Sequence, residues 1–292
     1  FQGFTEVYTY SMISKQDLEA VGFGESQALK IRNPLNLDLE FMRPTLLPSL
    51  LKVVAQNQSF EENLKFFELA NRYQPKKERE LPDELLSLAG VVQTSASAKQ
   101  NRDASTSFYF VKGVLEGLFE DLGIQANFVQ GEIPNLVQGV TAQILANGEE
   151  LGRIGKVASP IAKTFGVEGD VFVFGLDFGQ LSSLAKLTKG YKPVSKYPQV
   201  SEDISMIVNL RTEISQIVKL IKETGGNLLK ETEPFDIFTD KKLGENKKSV
   251  ALHLTYQSPT HNLSTKEVGG IRQKIITALE SKLGAKVRLK EA

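Results

Sequence analysis

Asp203-Ile204-Ser205-Met206-Ile207-Val208-Asn209, followed by Ile214–Thr224 and the pair Gly225-Gly226, decides how the last third of the chain folds. The first segment is short and apolar, as a strand is. The second places apolar residues at helical spacing and stops at glycine. Downstream, Leu228–Thr239 and Lys248–Tyr256 read as two strands joined through Gly244. Ser264–Leu283 reads as a long amphipathic helix: Ser264 with Glu267 three residues on is a capping box, and Gly284 ends it. Val287–Leu289 supplies a last strand. The order strand, helix, strand, strand, helix, strand is that of a ferredoxin-like βαββαβ unit. Its helices cover one sheet face and leave the other bare, and a bare face beside basic loops is a place for RNA to lie.

Alternation assigns the faces of Lys248–Tyr256. Val250, Leu252, Leu254 and Tyr256 form the apolar set and face the helices; Ser249, Ala251, His253, Thr255 and Gln257 form the open face. That face offers one imidazole and none of the aromatic pairs of the commonest RNA-reading sheets. RNA contact is therefore assigned to Lys241, Lys242, Lys247, Lys248 and His261 at the rim, with His253 on the face. Against this stands the plain reading that lysine runs are solvated loops.

The 292 residues suffice for about two domains. Net charge is zero, but residues 196–292 carry 16 Lys+Arg against 12 Asp+Glu, and residues 1–195 carry 19 against 23. A polyanion therefore prefers the C-terminal part. The absence of Cys excludes disulfides, thiolate nucleophiles and Cys-based zinc sites, and fits a cytoplasmic protein. No apolar run reaches the ~18 residues of a membrane span. An opening Phe1-Gln2-Gly3-Phe4 without Met reads as a piece of a longer protein.

A polar, Pro-punctuated stretch at Leu187–Tyr197 marks a boundary, giving expected domains at 1–190 and 195–292. Upstream of it, Gly3–Tyr10 reads as a strand or strand entry, and Lys65–Leu69, Leu86–Gln93, Thr141–Ala146, Leu151–Val157 and Val171–Phe178 read as strands. Ser14–Val21, Leu46–Asn57 and the run Phe108, Val111, Leu115, Leu118, Leu122 read as helices. Asn147-Gly148 signals a hairpin. Hairpins outnumber βαβ alternation, so the fold class is α+β with a largely antiparallel sheet.

Four segments in consistent order carry a resemblance. They are Asn33-Pro34-Leu35 with Phe41-Met42-Arg43-Pro44-Thr45-Leu46-Leu47-Pro48; Phe66-Phe67-Glu68-Leu69-Ala70; Phe108–Gly113 with Leu115-Glu116; and Phe235-Asp236-Ile237-Phe238-Thr239 with Lys247-Lys248-Ser249, Gln257, Leu263-Ser264 and Glu267-Val268. Together they resemble the C-terminal part of the β subunit of bacterial phenylalanyl-tRNA synthetase. The resemblance implies a class II synthetase-like core without catalysis, then a ferredoxin-fold anticodon-binding domain. It implies an α-subunit partner in an α2β2 tetramer, tRNA(Phe) as ligand, and ATP and Mg2+ handled by the holoenzyme, with neither bound by this chain. The chain departs from the family pattern at Ser201, Glu202 and His261, where the pattern carries fixed positive charge.

The residues themselves argue against adenylation. Class II chemistry holds phosphates with arginines on two motifs, because charge develops there during transfer. The strand Phe66–Ala70 is followed by Arg72 with no acidic partner in sequence, and Val171–Leu181 holds no Arg. Arg43 reads either as a relic of a substrate clamp or, preferred, as an ion-pair partner of Glu40 or Glu68. His253 and His261 lie eight residues apart with no cluster to complete a metal site. Two other readings stay open: a synthetase-fold scaffold that assembles without binding RNA, and a stand-alone synthetase.

Overall fold

Long runs of alternating and continuous apolar residues build two compact units, Phe1–Lys189 and Gly190–Ala292. The computed structural model describes residues 2–76, 81–94, 104–186, 188, 190, 193–240 and 243–288. In chain order, the first unit contains β1 (Thr5–Glu6), β2 (Met12–Ile13), α1 (Lys15–Ala20), β3 (Leu29–Lys30), β4 (Phe41–Met42), α2 (Leu47–Asn57), β5 (Lys65–Gln74), β6 (Asp83–Thr94) and α3 (Ala104–Asp121). It continues through β7 (Ala126–Gln130), β8 (Leu136–Ala146), β9 (Glu149–Val157), α4 (Ser159–Thr164), β10 (Asp170–Asp177) and α5 (Phe178–Leu184).

Seven strands form one sheet in the order β1-β5-β6-β10-β9-β8-β7. Only β1 against β5 is parallel; the remaining pairs are antiparallel. The sequence Val171-Phe172-Val173-Phe174 explains why β10 sits in the middle, because a strand buried on both faces needs no polar alternation. Val171 and Val173 join the core under α2, with Leu50, Leu51 and Val54. Phe172, Phe174 and Leu176 join the core under α3, with Val111, Leu115 and Phe119. Asn147 and Gly148, with φ of 52° and 86°, turn β8 into β9 in the doubly left-handed geometry that matches strand twist. Of Gly3–Tyr10, read as a strand or strand entry, only Thr5 and Glu6 form strand (β1), and Tyr8 and Tyr10 are exposed.

The second unit contains β11 (Val200–Asn209), α6 (Ile214–Gly225), β12 (Leu229–Phe238), β13 (Lys247–Tyr256), α7 (Thr265–Leu283) and β14 (Lys286–Arg288). Its sheet runs β12-β13-β11-β14, every neighbouring pair antiparallel, as the βαββαβ order requires. Both helices pack on one face. Ile204, Met206, Val208, Val250, Leu252, Leu254 and Tyr256 meet Ile217 and Ile221 of α6 and Val268, Ile275 and Leu279 of α7. Gly284, at φ 58°, ends α7 in the left-handed conformation that costs glycine least. Among the described residues no helix is long and apolar enough to cross a membrane.

Candidate nucleic-acid interface

Directly opposed residues in an antiparallel ladder share a face, so the register maps the open side of the second unit row by row. At one end, Asn209 faces Lys247. The next row is Lys286, Ile207, Ser249 and Phe238; then come Arg288, Ser205, Ala251 and Asp236. The fourth row holds Asp203, His253 and Glu233, and the last holds Ser201, Thr255 and Glu231. Small side chains floor the middle. The β14 edge is basic and the β12 edge acidic.

The open face is more aromatic than its strand pattern suggests. A register shift between Pro234 and Asp236 leaves Phe235 as the extra residue of a bulge. The Phe235 ring stacks on His253, centroids 3.9 Å apart at 14°. Asp203 Oδ1 lies 2.6 Å from His253 Nδ1. The imidazole is thus held from its face and its edge while remaining about half exposed, and Phe238 is 50% exposed. An aromatic plane fixed this way can stack a base at low entropic cost.

The remaining sequence-assigned residues do not converge. Lys241 and Lys242 lie outside the described residues. Lys247 and Lys248 start β13 on opposite faces: Lys247 on the open side, Lys248 half-buried on the helix side. Desolvation there pulls the Lys248 ammonium below its ordinary pKa, with Glu213 partly offsetting it. His261 follows the far end of β13, about 30 Å from Lys247 along the strand. Its Nδ1 lies 3.1 Å from Ser258 Oγ and 3.0 Å from Thr260 Oγ1, and its Nε2 lies 2.9 Å from Glu267 Oε1. Ser264 N donates to Glu267 Oε2 at 2.9 Å, and Ser264 Oγ accepts from Glu267 N at 3.3 Å. Hydrogen bonds from Ser264, with His261 adding, hold the Glu267 carboxyl down at about 2. His261 is a member of the α7 cap.

Glu202 also changes meaning. It lies on the helix side, where Arg272 Nη1 donates to it at 2.9 Å, so its charge does not face the open side. Lys286, Arg288, Phe235 and Phe238 were not singled out from sequence as contact residues. Alternation along β14 places the two cations on the open face; nothing local announces the bulge.

In the first unit, Arg43 is fully buried. Its Nη1 and Nη2 donate to Glu68 Oε2 and Oε1, each at 3.2 Å; Nε donates to the Asn71 carbonyl at 3.2 Å, and Nη1 reaches Thr9 Oγ1 at 2.6 Å. The preferred ion-pair reading therefore matches the structure, with Glu68 as the partner. A cavity of about 710 Å³ opens on the seven-stranded sheet, lined in part by Arg72, Ser87, Glu150, Arg153, Gly175 and Asp177. Arg72 does have an acidic partner: Nη2 lies 3.6 Å from Asp177 Oδ2, and Nε donates to Ser87 Oγ at 3.0 Å. Arg153 comes from β9, opposite Gly175, and pairs with Glu150. Both guanidinium groups in this cavity thus already face carboxylates. Among the described residues no three His, Asp or Glu side chains cluster as metal ligands.

Residues 1–178 match a family model described as the phenylalanyl tRNA synthetase beta chain CLM domain, and residues 195–288 match the ferredoxin-fold anticodon binding domain. The chain is 34% identical to the phenylalanine–tRNA ligase beta subunit of Carboxydothermus hydrogenoformans, over 98% of this chain and 37% of that one. It is equally 34% identical to the subunit of that name from Dehalococcoides mccartyi strain CBDB1, over 98% of this chain and 36% of that one. The chain thus spans little more than a third of the length of these relatives.

Proposed function

The chain belongs to the phenylalanyl-tRNA synthetase β-chain family, and from that premise we propose that it supplies α-subunit assembly and tRNA anticodon-region binding to the ATP-dependent charging of tRNA(Phe) with phenylalanine. The first unit, with proposed bounds 1–190, pairs with the α subunit in an α2β2 assembly. The second, with proposed bounds 195–292, holds the RNA. The α subunit takes ATP and Mg2+, and the whole works in the cytoplasm.

The observation that carries the RNA role is the open face of the second sheet: a floor of small side chains beside a half-exposed Phe235–His253 stack, with cations at one edge that have no ion-pair partner among the described residues. Support for an uncatalytic first unit comes from its arginines. Arg43 spends its donors inside the protein, and Arg72 and Arg153 face Asp177 and Glu150 rather than an open cavity wall. An adenylating site needs such charge free for phosphate.

Titration of the 292-residue chain with tRNA(Phe) at two salt concentrations tests the RNA role. Affinity is expected to fall steeply as salt rises. Binding that is absent, or indifferent to salt, sinks it and favours the alternative of a scaffold without RNA, which the carboxylates Glu231, Glu233 and Asp236 on the same face support. Copurification with an α subunit tests assembly. Phenylalanine-dependent ATP–pyrophosphate exchange by this chain alone overturns the non-catalytic assignment.

A further inference from the structure

At the end of the second sheet where β11 finishes and β13 and β14 begin lies a cavity of about 530 Å³. Lys247, Lys286 and Arg288 line it with Asn209, Asn246 and Glu245, three cations against one carboxylate. All three cations are exposed, and among the described residues none has an ion-pair partner within 4.0 Å. Other exposed cations of this unit, Lys222, Lys266 and Lys274 among them, also lack one among the described residues; these three are set apart by converging on one cavity. Unpaired cations beside a concave, polar wall are what a phosphate group needs: charge to replace its counterions, and amide groups of Asn209 and Asn246 to take its remaining hydrogen bonds.

The opposite edge sharpens the point. Across the same face, β12 presents Glu231, Glu233 and Asp236, which repel phosphate. An RNA strand on this face therefore has one electrostatically allowed path for its backbone, along β14. We propose that the cavity framed by Lys247, Lys286 and Arg288 is the backbone-phosphate contact of single-stranded RNA laid on the open face of the second unit. This rests on the RNA-binding reading above and adds to it which edge carries the backbone. None of these three but Lys247 was marked from sequence.

The test compares the 292-residue chain with two triple variants. One is Lys247→Gln, Lys286→Gln, Arg288→Gln. The other removes equal charge from the exposed helix side: Lys219→Gln, Lys222→Gln, Lys274→Gln. tRNA(Phe) binding is measured from about 50 to 200 mM salt. Losing three single-strand phosphate contacts should flatten the log–log salt slope by roughly 2, so the wild type's extra loss of affinity over that range shrinks about 15-fold. The helix-side triple should keep the wild-type slope. If wild type binds with a steep slope and the cavity triple does too, this proposal falls while the RNA role stands. If wild type itself shows no salt-dependent binding, both fall. Calorimetric titration with inorganic phosphate adds a third arm: a saturable phosphate site lost in the cavity triple while the RNA salt slope stays unchanged assigns the pocket to a free anion and overturns the backbone reading. All three substituted side chains are exposed, and unchanged thermal melts confirm that folding is intact.

Discussion

Arg43 and Arg288 carry the same guanidinium and stand at opposite extremes. Arg43 is buried in the first unit with Glu68, Asn71 and Thr9 taking its hydrogen bonds. Arg288 stands exposed at the edge of the second sheet without a carboxylate partner among the described residues. One charge is consumed by the fold; the other faces solvent. Residue type does not separate structure from function here. The count of satisfied donors does.

The largest effect that would break this contrast lies at Arg43. Arg43→Ala or Glu68→Ala strands a buried charge, and either should lower stability by about 3–5 kcal/mol in urea unfolding of the first unit. Replacing both with apolar residues, as in R43M/E68L, should cost much less. A loss below about 1 kcal/mol from R43A would show that the buried pair is not structural.

Next comes the interior of the second unit. Tyr256 is fully buried, and no protein group within the described residues hydrogen-bonds its hydroxyl. Desolvation first, and then Glu202, push its pKa up to about 12. A raised folded-state value means that the contribution is complete below the unfolded pKa near 10 and disappears as pH climbs toward 12. That amounts to about 2–3 kcal/mol. Thermal melts from pH 9 to 12 should show the loss, and Tyr256→Phe should abolish it. A wild-type curve flat across that window would place the phenol in water.

The smallest effect sharpens the division most. Ser264→Ala should cost about 1 kcal/mol through the α7 cap. Glu267, held at about 2, contributes above its ordinary 4.5, and that contribution fades as pH falls from there toward 2. His261→Ala should reduce this acid-side dependence while leaving tRNA affinity within about twofold, because both ring nitrogens serve the cap. A tenfold drop in RNA affinity would move His261 to the functional side.

Much of this was legible in the residues. Alternation in Lys248–Tyr256 assigned both faces of β13, since a two-residue period leaves little freedom once four apolar positions are set. Glu68 was named as a partner for Arg43, and Ser264 with Glu267 declared the cap. Other features were invisible for physical reasons. Arg72 meets Asp177 only because β10 and α5 return beside β5 and β6, a contact that no local spacing encodes. Phe235 reaches the open face through a bulge, which shifts register without a strong signature. Lys286 and Arg288 occupy a strand of three residues, too short for periodicity to stand out.

The bulge at Phe235 has one more consequence. A sheet with an acidic border and a basic border invites copies of itself to line up side by side, head to tail, in an array that never closes. Polymerisation of that kind needs an unbroken row of amides on the acidic border. Pro234 contributes no N–H, and the extra residue beside it throws the row out of step. The same irregularity that turns an aromatic ring outward also breaks up the kind of edge such growth would need.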